Sequence, residues 1–353
     1  MNRAAPLLAL CSLSFAACVA SPPTAAAGQA IINGTVDDGD PNVVLSFAQV
    51  PGQSTGSLCT GEVISPHVVL TAAHCVAPDT VGAGANFIVF TGTMLPDTGA
   101  PPPDQILHVS ETHYVSTFFY NPMTGADQDD IAVLILAAPT TIAPLPFNQY
   151  KLPDSAKGGP ARIVGYGITN GNDTQGTTAG TRHEAPTVLD NFSAQTLTLF
   201  DSMHSNCEGD SGGPTLVMLD GKERIAGVTQ VGYVHCPVAM GSTDTRVDAY
   251  ADFINQWVTT FDPPPVPAGG ACTTDADCGV LECLGGLCAQ PCDPSASTTS
   301  CPANTECIDA DNKNYCGKPA HHGCAFATRA STTPTTALLL LAALALLARR
   351  RRA

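Results

Sequence analysis

The stretch CEGDSGGP, from Cys207 to Pro214, sets a serine between an aspartate and two glycines. The chemistry such a serine could do is nucleophilic attack by its hydroxyl. Taken alone, the string fits a polar turn equally well, because glycine and serine gather in turns for conformational reasons. A serine hydroxyl is a weak nucleophile at neutral pH and needs a base within hydrogen-bond reach. If Ser211 reacts, the chain must also supply a histidine and a group to orient it. Of the nine histidines, His74 stands at the end of the apolar run VVLTAAH, directly before Cys75. Ordinary packing is the competing reading of a histidine in that place. Asp130 opens the apolar run IAVLIL, where a charge is expensive to bury unless it is hydrogen-bonded. Asp127 and Asp129, just before it, read as solvated turn acids.

These three residues need a frame that brings distant segments together. NVVLSFAQV, TGEVISPHVVLTAAH, NFIVFTGT, DIAVLILAAP, ARIVGYG, PTLVML and RIAGVTQVGY are Val/Ile-rich runs bounded by Gly, Pro, Asp or Asn. Many short strands at such spacing predict an all-β sandwich or pair of barrels over residues 31–262. The segment TDTRVDAYADFINQWV then places Val247, Tyr250, Phe253, Ile254 and Trp257 at helical spacing. A C-terminal helix packed on the barrels is expected there.

The chain of 353 residues carries a net charge of −16. Residues 31–262 hold 24 acids against 7 Lys and Arg, a net of −17. With no basic stripe, nucleic acid is excluded as a partner. Fifteen cysteines point to an oxidising compartment. Residues 1–30 have the layout of a secretory signal with a short propeptide: Arg3, a short apolar segment and then small residues. Cys18 after FAA also resembles a bacterial lipoprotein cleavage box. Residues 263–271 form a Pro/Gly linker, stiff and extended at its proline end. Residues 272–316 hold eight cysteines with almost no apolar run, the pattern of a small module held by about four disulfides. Its spacings lack a CxxC pair and no histidine lies inside it, which disfavours zinc; its acidity leaves a loose calcium role open. Residues 317–353 end in a short apolar helix and four arginines. Twelve helical residues span about 18 Å, short of the ~30 Å hydrocarbon core.

At this point a family resemblance enters. TAAHC, DIAVLIL and CEGDSGGP, in that order, are similar to the three signature segments of the trypsin/chymotrypsin-like serine proteases. AIINGT resembles that family's mature N-terminus, usually Ile-Val-Gly-Gly. Together the four segments cover nearly all of residues 31–260. The resemblance implies two perpendicular six-stranded barrels with the active site in the cleft between them. It makes His74 the general base, Asp130 the residue that holds its tautomer, and Ser211 the nucleophile. It assigns the backbone N–H groups of Gly209 and Ser211 to the oxyanion hole. It pairs Asp210 with the α-amino group freed by cutting before Ile31. Ala30 precedes that cut, which disfavours a tryptic activator. It also pairs Cys59 with Cys75 and Cys207 with Cys236, and it implies no cofactor or metal.

The same resemblance places Ser205 at the floor of the specificity pocket, where basic-specific members carry Asp, and Gly232 and Ser242 along its walls. These positions predict an apolar or medium-sized, non-basic residue before the cut. Glu208 would repel an acidic substrate residue. Gln230 stands where the family usually has Ser bonded to the catalytic carboxylate. The expected activity is hydrolysis of protein or peptide substrates through an acyl-enzyme. The alternative is a catalytically inactive homologue used as a surface binding module. The tail, with Cys324 upstream, resembles a MYXO-CTERM sorting signal. This implies a C-terminal processing enzyme as partner, membrane contact through the terminal segments, and an exported protein at the outer-membrane cell surface or released. A simple tail anchor is the alternative.

Overall fold

The computed structural model describes residues 31–121, 126–219, 221–232, 235–279, 281–290, 292, 306–310 and 313–317. Residues 1–30, read as a signal with Cys18, and residues 318–353, with Cys324, lie outside the described residues. In chain order the strands are β1 (Thr35–Val36), β2 (Val43–Gln49), β3 (Ser57–Val63), β4 (Val68–Thr71), β5 (Asn86–Phe90) and β6 (Ile106–Tyr114). A hairpin of β7 (Phe119–Asn121) and β8 (Ala126–Gln128) precedes β9 (Ala132–Leu136). After these come β10 (Gly159–Gly165), β11 (His183–Phe192), β12 (Thr196–Leu199), β13 (Pro214–Leu219), β14 (Lys222–Gly232) and β15 (Ser242–Arg246). A short α1 spans Pro78–Val81, and α2 spans Ala251–Phe261.

Two six-stranded antiparallel barrels result, as expected. The first closes in the order β2-β3-β4-β9-β6-β5. The second runs β11-β10-β13-β14-β15-β12 and closes through the pairing of β12 with β11, with β1 added at the start of β11. β4 and β9 are buried along their whole length, which explains their unbroken apolar runs. One face of each fills the barrel, while Val247, Ile254 and Val258 join the same core from the C-terminal region. A second core lies inside the other barrel, built on Ile163, Leu189, Leu197 and Leu219. The predicted helix is present but begins later than its periodicity suggests. Thr243–Arg246 belongs to β15, and Val247 and Tyr250 lead into α2.

A buried cation ties the N-terminal segment to both barrels. Arg182, 2% exposed, donates from Nε to Asp37 Oδ2 at 2.8 Å and from Nη1 to Val43 O and the Tyr166 hydroxyl. Removing one partner of a buried ion pair strands the other charge, typically at a cost of about 3–5 kcal/mol. Arg182→Met is therefore expected to lose that much in chemical denaturation. A loss below about 1 kcal/mol would mean the pair is worth no more than a surface one.

The cysteine-rich segment carries two small hairpins, β16 (Glu282–Leu284) with β17 (Leu287–Ala289), and β18 (Glu306–Ala310) with β19 (Lys313–Gly317). Disulfides join Cys272 to Cys283, Cys278 to Cys288 and Cys292 to Cys307. Pairing in disulfides removes these thiolates as zinc ligands. The segment packs on the second barrel: Arg224 pairs with Glu282, Lys222 with Asp275, and Gln290 Nε2 donates to Gln149 O at 3.2 Å. The linker is thus no free spacer. Pro263–Pro265 wall an apolar cavity of about 680 Å³ between the barrel and the segment.

Candidate active site

His74 lies in a single 3₁₀ turn, Ala73–Cys75, at the end of β4. A disulfide anchors that turn by joining Cys75 to Cys59 on β3. The next residue on β3, Thr60, donates its backbone N–H to Ser211 O at 2.8 Å and its hydroxyl to Gly209 O at 2.9 Å. The histidine turn and the serine loop are therefore fastened to adjacent residues of one strand. Thr71 completes the seam by donating its hydroxyl to Thr60 O at 2.8 Å.

Asp130 comes from the first residues ahead of β9 and is fully buried. It grips His74 with both oxygens: Oδ1 accepts the backbone N–H at 2.8 Å, and Oδ2 lies 2.7 Å from Nδ1. A carboxylate so placed fixes the ring and favours a proton on Nδ1. The sequence reading of Asp130 as a buried, hydrogen-bonded acid, rather than a solvated one, matches this geometry.

The serine loop folds around Asp210, which is buried beneath it. Its carboxylate accepts the backbone N–H groups of Cys207 and Gly167, each at 2.8 Å, and that of Ile31. Burial pushes its carboxyl up to about 7, against the pull of those three donors. Ile31 itself is fully buried in the core of the second barrel. The loop demands glycine at two points. Gly209 has φ +98°, and a Cβ there would fall 2.7 Å from Gly167 Cα. Gly212 has φ +82°, and a Cβ there would fall 2.1 Å from Thr71 Oγ1. Both sites therefore take only glycine without displacing the backbone.

Below the loop, Cys207 is joined to Cys236. Ser205 is buried and donates its hydroxyl to Asn206 O at 3.1 Å. Asn206 Nδ2 donates to Thr229 Oγ1 at 2.9 Å. Thr229 in turn exchanges backbone hydrogen bonds with Gly212 and Gly213, which sets it directly against the serine loop. Ser242 is buried at the start of β15, opposite Gly232 on β14. Gln230 falls at a bulge between Thr229 and Val231 and is also buried. Sequence reasoning missed Thr60, Thr71, Asn206 and Thr229. The signal available for them was threonine or asparagine inside otherwise apolar or glycine-rich motif segments.

Two closed six-stranded barrels, with an Asp-held histidine and a glycine-rich serine loop both fastened to β3 of the first, have the fold of a chymotrypsin-like serine endopeptidase. The family model described as Trypsin matches residues 37–254, and the chain belongs to that family. Relatives carry the name chymotrypsin-like elastase family member 1. The Macaca fascicularis protein is 29% identical over 241 residues, 61% of this chain and 84% of its own length. The Felis catus protein is 29% identical over 242 residues, with the same coverage. The human protein is 28% identical over 244 residues, 61% of this chain and 87% of its own.

Proposed function

We propose that the protein is an exported serine endopeptidase whose triad is His74, Asp130 and Ser211. Ser211 Oγ bonds to the scissile carbonyl carbon while its proton passes to His74 Nε2. The negative charge moves to the carbonyl oxygen, which takes hydrogen bonds from the N–H groups of Gly209 and Ser211. The C–N bond then breaks, the leaving amine takes the proton from His74, and water repeats the sequence to release the acid. Asp130 keeps the imidazole oriented and offsets its charge. The observation that carries this reading is the two-oxygen grip of Asp130 on His74.

The floor at Ser205 brings no charge; its hydroxyl bonds Asn206 O, Asn206 bonds Thr229, and Ser242 is buried. That supports an uncharged residue of small to medium size before the cut. The arrangement of domains supports a protease at residues 31–262 with the module at 272–316 docked on it. Export is supported by its five described disulfides and by the leader-like residues 1–30. The tail after residue 317 is proposed to serve sorting to the cell surface. Among the described residues no helix is long and apolar enough to cross a membrane.

A fluorophosphonate probe tests the nucleophile. The full chain should label, and Ser211→Ala should not; the variant should also lose several orders of magnitude in kcat. Labelling that survives Ser211→Ala assigns the nucleophile to another residue, and a parent that does not label leaves the inactive surface homologue standing.

A further inference from the structure

Asp129 sits in a partly exposed bend, as the sequence reading had it, but that reading did not foresee its partners. It is a non-glycine residue at φ +53°, a conformation that few side chains adopt without support. The support is visible. Its Oδ1 accepts the Tyr250 hydroxyl at 2.5 Å and Gln195 Nε2 at 2.7 Å, and Gln195 Nε2 also reaches the Tyr250 hydroxyl at 3.1 Å. Gln195 sits in the turn between β11 and β12, and Tyr250 leads into α2. Its own carbonyl accepts the Ile131 N–H at 2.9 Å, so the backbone turns tightly around Asp130. The segment that carries Asp130 therefore leaves the first barrel, is pinned to the second at Asp129, and returns as β9.

We propose that Asp129 is a positioning residue for the triad: it clamps the Asp130 turn to the second barrel and adds a negative charge beside the His74–Asp130 pair. This rests on the triad reading above. The clamp matters because Asp130 must hold both the His74 backbone and its ring, which leaves little tolerance for a shifted turn. The charge matters because a second carboxylate next to Asp130 favours the imidazolium that forms during turnover. The other ionisable group on the clamp, the Tyr250 hydroxyl, stays neutral. Burial, and then the Asp129 and Asp130 charges, push it up from its ordinary value, against the pull of Gln195. On the same side Arg246 is paired with Asp248, and its guanidinium also bonds Ser193 O. Asp130 and His74 are the remaining ionisable members of the described cluster.

Two variants separate the clamp from the charge. Asp129→Asn keeps an oxygen to accept both hydrogen bonds but removes the charge. Its acid limb of kcat/KM against pH should move down by about half a pH unit, the scale of one screened charge several ångströms away. Its kcat at the plateau should fall by no more than about threefold, the equivalent of that half unit. Asp129→Ala removes both, and kcat should fall about tenfold with KM little changed. All rates are normalised to active sites titrated with a fluorophosphonate, so poor folding does not mimic the effect. An acid limb for Asp129→Asn that overlays the parent, or an Asp129→Ala that turns over at the parent's rate, overturns the proposal. Ser211→Ala is measured alongside. If it remains active, the triad reading has failed; if it is dead while the Asp129 profiles match the parent, only this inference has.

Discussion

Asp210→Asn is expected to lower kcat/KM by about 10²–10⁴-fold while leaving the protein folded. The size follows from the environment of the carboxylate. It is completely enclosed, and backbone N–H groups of Cys207, Gly167 and Ile31 converge on it. With Ile31 held as an ordinary amide, no formal positive charge faces it in the described structure, and burial keeps its carboxyl near 7. If cutting before Ile31 frees an α-amino group at the same place, that donor becomes a cation. A buried pair of this kind is worth about 3–5 kcal/mol against its broken form, which converts to the stated loss in rate. The loop that Asp210 holds carries Gly209 and Ser211, so misplacing it would cost the proposed oxyanion donors as well as the proposed nucleophile.

The pH dependence has a definite sign. An α-amino group titrates near 8 in isolation, and a carboxylate partner raises that value. The interaction is therefore present at lower pH and is lost as pH rises through the raised value. Activity of the processed enzyme should show an alkaline limb that Asp210→Asn no longer shows. A chain with residues 28–30 still attached should be as slow as the variant. Parent-like turnover by either one would remove the activation role from Ile31 and Asp210.

How much of this could be read in the sequence depends on how local each signal is. His74, Asp130 and Ser211 sit in compact motifs, and their meeting in space follows once three motifs occur in order. β4 and β9 were visible because burial on both faces writes an unbroken apolar run. β6 and β11 were not, because β6 is partly exposed along its whole length and β11 carries His183 and Thr187 on its buried face, so neither writes an apolar run. β11 also contains Pro186, a residue that argues against a central strand. The pairing accommodates it: Pro186 faces Arg162 on β10, while on the other edge β1 covers only residues 183–184 and β12 starts at Leu189, leaving Pro186 on an open stretch. The partners of Asp129, Gln195 and Tyr250, went unread because they are 66 and 121 residues away. The start of α2 was blurred because Val247 packs in the same core as the helix while still preceding it.

The second large effect concerns two carboxyl groups the mechanism does not use. Glu62 on β3 and Asp244 on β15 are both fully buried, one from each barrel. Among the described residues neither oxygen of Glu62 nor Oδ1 of Asp244 has a hydrogen-bond partner; Thr215 alone donates to Asp244 Oδ2. Burial pushes Asp244 up to about 7. It pushes Glu62 well above its usual value, and the neighbouring charge of Asp244 raises it further. For Asp244 the folded value lies above the unfolded one, so between about 4 and 7 the native state holds a proton that the unfolded chain has lost. Stability falls with rising pH across that window and levels off above it. Three units correspond to about 4 kcal/mol, an upper bound, since water can enter an opened site. Asp244→Asn, made in a Ser211→Ala background to prevent self-digestion, should match the parent near pH 4 and exceed it by up to about 4 kcal/mol at pH 8. Glu62→Leu should gain in the same direction, because it replaces an unpartnered carboxyl by an apolar group of similar size. Urea denaturation at pH 4, 6 and 8 reads the difference directly. Parallel stability curves for parent and Asp244→Asn would show that Asp244 titrates at an ordinary value and that its burial carries no proton-linked cost.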